Sequence, residues 1–108
     1  VGVTMDNFKY IYRILKLLEK SMDLEEFDPE LIGYKEFDIS KPRWSRIMSM
    51  LKEQEYIQGI DVWYSLDQDY PRVKLARPEI TLKGLEYLNE NSMTKKLHNA
   101  AKGIKELI

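Results

Sequence analysis

Basic and hydroxyl side chains are concentrated between Tyr34 and Lys52, and such side chains are suited to binding nucleic acid. This stretch holds five bases and two acids, a local charge of +3 in a chain whose net charge is −1. Arginine forms paired hydrogen bonds with guanine O6 and N7, and serine hydroxyls bond to base edges or phosphates. The sequence therefore predicts a DNA-binding set in this stretch, made up of Ser40, Lys41, Arg43, Ser45, Arg46, Ser49 and Lys52.

Two more bases, Arg72 and Lys74, alternate along a later segment and extend the predicted DNA-binding set. Their spacing places both on one side of a strand, away from the apolar side chain between them. Asp67 and Asp69 precede them at a predicted turn. Carboxylates at that turn would be repelled by phosphates, so the contribution of this segment depends on the angle at which it meets DNA.

Residues for catalysis or metal binding show no comparable grouping. The chain has one histidine, His98, and no cysteine, so it lacks a thiolate nucleophile and a cysteine zinc site. The acidic segment from Asp23 to Glu30 has Asp28 where a calcium loop needs glycine. No glycine-rich phosphate loop is present among the 5 glycines. We therefore predict a protein that is not an enzyme and uses neither a cofactor nor a metal.

The overall composition indicates one folded domain. The chain has 108 residues, of which 44% are hydrophobic, enough to form a core. Its 17 bases are balanced by 18 acids, which excludes a polycation that binds nucleic acid through bulk charge. No apolar run approaches the roughly 18 residues of a membrane span, and no secretion signal opens the chain. We therefore expect a cytoplasmic protein with no membrane partner.

The first predicted helix begins at Asp6, a residue type that caps helix starts. Apolar residues then recur at helical spacing from Phe8 to Met22. Four bases occupy the opposite face at steps of four, three and four residues, and we interpret that face as solvated: Lys9, Arg13, Lys16 and Lys20.

Two more helices are predicted before the spacing of the apolar residues changes. Asp28-Pro29 starts a short second helix over about residues 29–36. The Asp28 carboxylate can cap it, and Pro29 occupies the first helical position, where the helix uses no N–H. Ser40 caps a third helix, residues 40–54. Its buried stripe is predicted to contain Trp44, Ile47, Met48 and Leu51.

After Tyr56 the apolar residues alternate, which predicts a β-hairpin. Residues 72–77 form the returning strand, and Pro78 ends it. Trp63 is expected to face outward on the first strand, and Gly59 marks a bulge or a close approach of backbone. The inner face of the first strand is predicted to hold Ile60, Val62, Tyr64 and Leu66.

A closing helix is predicted to begin after Thr81, whose side chain can cap it. Gly84 in its first turn costs about 1 kcal/mol relative to alanine, so a neighbouring segment is expected to pack closely there. Residues 91–108 then form an amphipathic helix that either docks on the domain or pairs two copies of the chain. Its apolar seam, the predicted dimerisation set, consists of Met93, Leu97, Ala100, Ile104 and Leu107.

The order of these elements predicts an α+β fold, a winged helix-turn-helix. Three helices and a two-stranded wing hairpin make up a domain over residues 5–90, followed by the additional C-terminal amphipathic helix. In this fold the helix over residues 40–54 is the recognition helix.

Several phrases of the sequence resemble the small YjcQ family, which is encoded by phages and prophages. They are Met5-Asp6-Asn7-Phe8-Lys9, Phe27-Asp28-Pro29-Glu30, Arg43-Trp44 and the segment from Pro78 to Leu88. The resemblance covers nearly the whole chain. It implies a winged-helix fold and a phage context, and it supplies no catalytic residue.

Two functions remain open on the sequence alone. The charge on the predicted recognition helix favours a transcriptional regulator that binds double-stranded DNA, in which a homodimer would double the contacts. The alternative is a protein–protein interaction module of the same fold in a phage assembly or regulatory circuit, since the fold alone does not assign function. An isoelectric point near 5.9 is low for a DNA-binding protein and supports the alternative.

Overall fold

Three α-helices surround the core in the computed structural model, which describes residues 7–92 of the chain. They are α1 (Asn7–Ser21), α2 (Lys41–Glu53) and α3 (Leu82–Asn91). α1 packs against both other helices, so that the three apolar faces meet. The predicted α+β class is confirmed, and the arrangement is compatible with a winged helix.

Four short strands form two separate antiparallel sheets. β1 (Ile57–Gln58) pairs with β4 (Glu79–Ile80), and β2 (Asp61–Trp63) pairs with β3 (Arg72–Lys74). The β2–β3 pair is the predicted hairpin. The β1–β4 pair at its base was not predicted, because two-residue strands show no alternation in the sequence.

Local side-chain bonds begin two of the helices as the sequence predicted. The Ser40 hydroxyl accepts a hydrogen bond from the Arg43 amide at 3.3 Å, and the Thr81 hydroxyl accepts one from the Gly84 amide at 3.1 Å. Each bond satisfies an amide that the first helical turn leaves without a partner. The predicted starts of α2 and α3 are therefore confirmed, whereas Asp6 lies outside the described residues.

The predicted second helix over residues 29–36 is wrong in length and type. Asp28 caps it as expected by accepting from the Glu30 amide at 3.0 Å, but it is a single 3-10 turn, Pro29–Ile32. The Ile32 carbonyl instead accepts a buried hydrogen bond from the Trp44 indole N–H at 2.8 Å. Because that bond faces the core, it favours departure of the chain from a helical path after Ile32.

The core of the domain contains the predicted inner stripe of α2. Trp44, Ile47, Met48 and Leu51 are all buried there. They pack with apolar residues from α1, the 3-10 helix, the sheets and α3, among them Ile14, Leu15, Leu18, Ile32, Ile57 and Leu88.

The apolar stripe of α1 is buried only in its middle. Phe8 at its start is 71% exposed, and Met22 just beyond its end is 62% exposed. Both were predicted to belong to the buried stripe. The prediction was wrong at these ends because the period of a helix does not show how far its neighbours extend along it.

Two glycines allow backbone segments to touch where the sequence predicted close approach. Gly59 has a φ of +81°, and a Cβ there would overlap the Arg77 carbonyl. The Arg77 amide donates to the Gly59 carbonyl at 2.8 Å, and the Thr81 amide donates to the Tyr56 carbonyl at 3.1 Å. A Cβ on Gly84 would overlap the same Tyr56 carbonyl. Backbone bonds therefore clamp the base of the hairpin to the start of α3.

Among residues 7–92, no helix combines the length and the apolar character needed to cross a membrane.

Candidate nucleic-acid interface

The first turn of α2 combines bases with the positive end of the helix dipole. Lys41 and Arg43 are both exposed, and no acidic residue occurs in this turn. Pro42, which has no N–H, occupies a position where a helix needs none. The positive end of the helix dipole and the two basic side chains therefore attract anions together.

The exposed bases of α2 divide between the centre and the flanks of its outward face. An α-helix turns by about 100° per residue, so Arg43 and Lys52, nine residues apart, lie on opposite sides of the axis. Arg46 and the half-buried Ser49 lie between them on the outward side. A helix in the major groove directs central side chains at base edges and flanking side chains at phosphates. The predicted set fits that division, except for Ser45.

Ser45 does not belong to the exposed set. Its side chain is 1% exposed, and its hydroxyl oxygen has no hydrogen-bond partner among the described residues. The predicted contact between Ser45 and DNA is therefore wrong. Ser45 lies beside the apolar stripe, on a flank of α2 that other parts of the fold cover, and the helix period alone does not identify which flank is covered.

Replacing Ser45 with alanine is expected to stabilise the protein by about 1 kcal/mol. A buried hydroxyl without a partner carries a desolvation cost that alanine lacks, and alanine is the better helix former. The unfolding midpoint in urea measures this change. Ser49→Ala is the matched control, because it shares the gain in helix propensity without the same burial. A lower midpoint for Ser45→Ala would contradict the expectation and reveal a partner for the hydroxyl.

Two neutral oxygens hold the arginines of α2. Arg43 Nη1 donates to Asn7 Oδ1 at 2.8 Å, and Arg46 Nη2 donates to the Asp69 carbonyl oxygen at 3.2 Å. Neither acceptor is a carboxylate, so neither bond neutralises a guanidinium charge. Within residues 7–92 the single side-chain ion pair joins Lys16 and Glu19. The bases of α2 therefore carry charge that no described carboxylate contacts.

The hairpin presents its bases on the outer face, as predicted. Arg72 stands opposite Trp63, and Lys74 stands opposite Asp61. Residues directly opposite each other share a face of the sheet, and all four are exposed. Val62 and Val73 form the inward pair between them. Asp61 offsets part of the charge of Lys74, whereas Arg72 has an aromatic neighbour.

The inward positions predicted for Tyr64 and Leu66 are wrong. β2 ends at Trp63, beyond which Tyr64 is 69% exposed and Leu66 is fully exposed. The alternation stops because the chain begins to turn, and the Ser65 hydroxyl donates to Asp67 Oδ1 at 2.6 Å within that turn. Trp63 is 45% exposed, so its predicted outward position is confirmed.

The tip of the hairpin is negatively charged. The hydrogen bond from Ser65 is the largest cause that lowers the pKa of Asp67, so this carboxyl is ionised at neutral pH. Asp69 adds a second exposed carboxylate. A tip with these charges is repelled by phosphates, so Arg72 and Lys74 on the strand carry any attraction of the hairpin for DNA.

Three features of this surface were not predicted from the sequence. Met50 is 48% exposed on α2 and adds an apolar contact to its outward face. Its sequence spacing could have shown this, since it lies outside the buried stripe. The acceptors Asn7 and Asp69 are 36 and 23 residues from their arginines. No local pattern connects residues so far apart in the chain.

A separate open groove of about 690 Å³ lies between the end of α1 and the chain around Pro78. Apolar residues such as Leu24 and Phe27 line it together with four charged residues, Glu25, Glu26, Arg77 and Glu79. No three histidine or acidic side chains are grouped closely enough to hold a metal ion in the described part of the chain.

The proposed dimerisation residues and His98 lie outside the described residues. The dimerisation residues are Met93, Leu97, Ala100, Ile104 and Leu107.

Comparison with known proteins gives one family. The family described as YjcQ protein matches residues 12–107. A relative from Bacillus subtilis (strain 168), described as "Uncharacterized protein YjcQ", is 33% identical over 105 residues, which make up 96% of this chain and 99% of the relative. No solved structure matches the chain. The similarity therefore extends over nearly the whole chain and is not confined to one motif.

Proposed function

Because the chain belongs to the YjcQ family, as its motifs predicted, we propose that it is a winged-helix protein of phage or prophage origin that binds double-stranded DNA. In this proposal α2 is the recognition helix, and the protein regulates transcription in the cytoplasm. It works without catalysis, cofactor or metal.

The observation that carries the proposal is the unneutralised charge on the exposed side of α2. Arg43 and Arg46 are fixed by neutral oxygens, and Lys41 and Lys52 are exposed on the same helix. Cationic side chains without carboxylate partners on the exposed face of one helix are suited to binding the negatively charged phosphates of DNA. Ser49 and Met50 add a hydroxyl and an apolar contact for base edges.

The low isoelectric point is consistent with this proposal because a group of acids lies away from α2, which itself carries four bases against one acid, Glu53 at its last position. Five acids and no base lie from Asp23 to Glu30, in the segment that runs from the end of α1 into the 3-10 helix. Binding to phosphates depends on the local charge of the contacting surface more than on the net charge of the chain.

Duplex binding by the full chain is expected to weaken steeply with salt. If the flanking bases of α2, Lys41, Arg43 and Lys52, each neutralise one phosphate, log affinity falls with log salt with a slope of about −2.7 or steeper, because each contact releases counterions. Anisotropy of a labelled random-sequence duplex, titrated at about 50 and 200 mM KCl, measures the slope. An affinity that does not change with salt would contradict the proposal.

We also propose that two copies of the chain pair through residues 91–108. A two-fold dimer places recognition helices about 34 Å apart, one turn of DNA, and doubles the contacts. The full chain is then expected to sediment as a dimer, whereas a variant with Leu97→Glu and Ile104→Glu sediments as a monomer. A full chain that is monomeric at high concentration would contradict this part of the proposal.

The hairpin favours one alternative function. Trp63, Tyr64 and Leu66 expose large apolar surfaces next to Arg72. Tryptophan, tyrosine and arginine are the residues most often found at the energetic centre of protein interfaces. Failure of the chain to bind duplex at low salt would therefore favour a protein-interaction module that uses this hairpin.

A further inference from the structure

The outward face of α1 carries a row of bases that the proposed recognition helix does not use. Lys9, Arg13 and Lys20 are exposed, and Lys16 is partly exposed. Glu19 is the only acid in α1. The helix therefore presents an excess of positive charge along its solvent side.

One of these bases is neutralised within the helix itself. Lys16 Nζ donates to Glu19 Oε1 at 2.8 Å, and this bond is the main cause that raises the pKa of Lys16. Lys9, Arg13 and Lys20 have no carboxylate within ion-pair distance among residues 7–92. The free charge of α1 thus lies near its amino-terminal half, at Lys9 and Arg13, and at its far end, at Lys20.

Direct contacts place the amino-terminal half of α1 beside the start of α2. Arg13 Cζ lies 4.8 Å from the centre of the Phe37 ring, which is buried in the turn before α2. Tyr10 also packs on that ring, with 6.3 Å between ring centres. The bond from Arg43 to Asn7 joins the two helices at the same end.

The stacking on Phe37 also preorganises Arg13. A guanidinium held over an aromatic ring keeps its N–H groups at the ring edge free to donate, and it has lost part of its side-chain freedom before a ligand arrives. The entropic cost of binding an anion is correspondingly smaller. Lys20 lies seven residues further on, about 10 Å along the helix axis, and has no comparable contact.

We infer that Arg13, with Lys9 beside it, forms a second contact with the phosphate backbone of DNA, next to the contacts made by α2. This inference rests on the proposed function. The interface then extends over the amino-terminal ends of two helices, with Phe37 and Asn7 as its uncharged supports. The solvated interpretation of the α1 face is kept only for Lys16 and Lys20.

The test compares two full-length variants with the same loss of charge, Arg13→Gln and Lys20→Gln. Anisotropy of the labelled random-sequence duplex is measured for each over a range of salt concentrations. Arg13→Gln is expected to weaken binding about fivefold and to make the salt slope less steep by about 0.9, the value for one phosphate. Lys20→Gln is expected to stay within about twofold of the original chain, because its charge lies outside the interface.

Two further variants separate charge from structure. Lys9→Gln removes a neighbouring charge without touching Phe37, and it should weaken binding in the same direction even if Arg13→Gln unfolds. Arg13→Lys keeps the charge and should restore the salt slope.

Each remaining outcome is decisive. Equal losses in Arg13→Gln and Lys20→Gln would show bulk charge alone and overturn the inference. Full binding by Arg13→Gln and Lys9→Gln, with loss in Arg43→Ala, would overturn it and leave the recognition helix in place. Duplex binding that does not change in any of these variants, Arg43→Ala included, would refute α2 as the recognition helix of the proposed function.

Discussion

Replacing Arg43 and Arg46 together with alanine is expected to lower the affinity for duplex DNA by about 2 to 4 kcal/mol, roughly 30-fold to 1000-fold. Arg46 lies near the centre of the outward face of α2, and Arg43 lies on its flank. Loss of Arg46 removes a side chain able to bond to base edges, and loss of Arg43 removes a phosphate contact. The measurement is anisotropy with labelled duplex at low salt.

The fold should persist in this double variant. Both side chains are exposed, and the bonds that they lose, to Asn7 and the Asp69 carbonyl, are exposed as well. Each of these hydrogen bonds contributes at most about 0.5 to 1.5 kcal/mol to stability, and the higher helix propensity of alanine offsets part of that loss. Circular dichroism and the urea midpoint check this directly.

The matched control removes two bases far from α2 in sequence, Lys20→Ala with Lys83→Ala. This control changes the net charge by the same amount. If the effect is specific to the site, the loss of affinity in the arginine variant exceeds the loss in the control by at least tenfold. A second comparison, Arg43→Lys with Arg46→Lys, keeps the charge but removes the paired hydrogen-bond geometry of arginine. Equal weakening in the alanine variant and the control would contradict the assignment of α2.

Replacing Gly59 with alanine is expected to cost about 3 kcal/mol of unfolding free energy. The φ of +81° is unfavourable for a residue with a Cβ, and the added carbon would overlap the Arg77 carbonyl. Relief of the overlap would break the bond between the Arg77 amide and the Gly59 carbonyl. Urea unfolding of the full chain measures the loss.

Two variants separate the causes of this loss. Gly33→Ala adds the same atom at an ordinary φ of −78°, 3.2 Å from the Glu30 carbonyl oxygen, and should cost less than about 1 kcal/mol. Gly59→Asn introduces a residue that tolerates positive φ but still carries a Cβ. It should be nearly as unstable as Gly59→Ala. A mild Gly59→Asn variant would show that backbone conformation, and not contact with Arg77, sets the requirement for glycine.

The features that the sequence predicted correctly have local causes. Ser40 and Thr81 cap helices through amides three residues away, and the stripe of α2 follows from the period of the helix. The close approach at Gly84 was inferred from the cost of glycine in a helix. Each of these conclusions needs only a few neighbouring residues.

The errors arose where a distant segment decides the outcome. Tyr64 continues the alternation of β2, but the paired strand opposite it has already ended. Ser45 has the polarity of a surface residue, yet it is covered by parts of the fold that the helix period does not reveal. The second helix is shorter than predicted, and the backbone carbonyl of its last residue, Ile32, accepts a hydrogen bond from Trp44, twelve residues later. The charge of the candidate interface could be predicted, whereas its supports, Asn7 and Phe37, required the folded arrangement.

The clamp at the base of the hairpin has a consequence for dynamics. The amides of Arg77 and Thr81 are held by backbone carbonyls across the clamp, so exchange of their hydrogens with solvent requires that this region open. The Gln68 amide near the tip is bonded only to the Ser65 carbonyl within its own turn, at 3.3 Å. The hairpin is thus held firmly at its base, whereas the exposed bond from Arg46 to the Asp69 carbonyl is a weaker restraint on its tip. In the proposed complex with DNA, small changes in the tilt of the hairpin would adapt Arg72 and Lys74 to grooves of different width while the packing around Gly84 stays fixed.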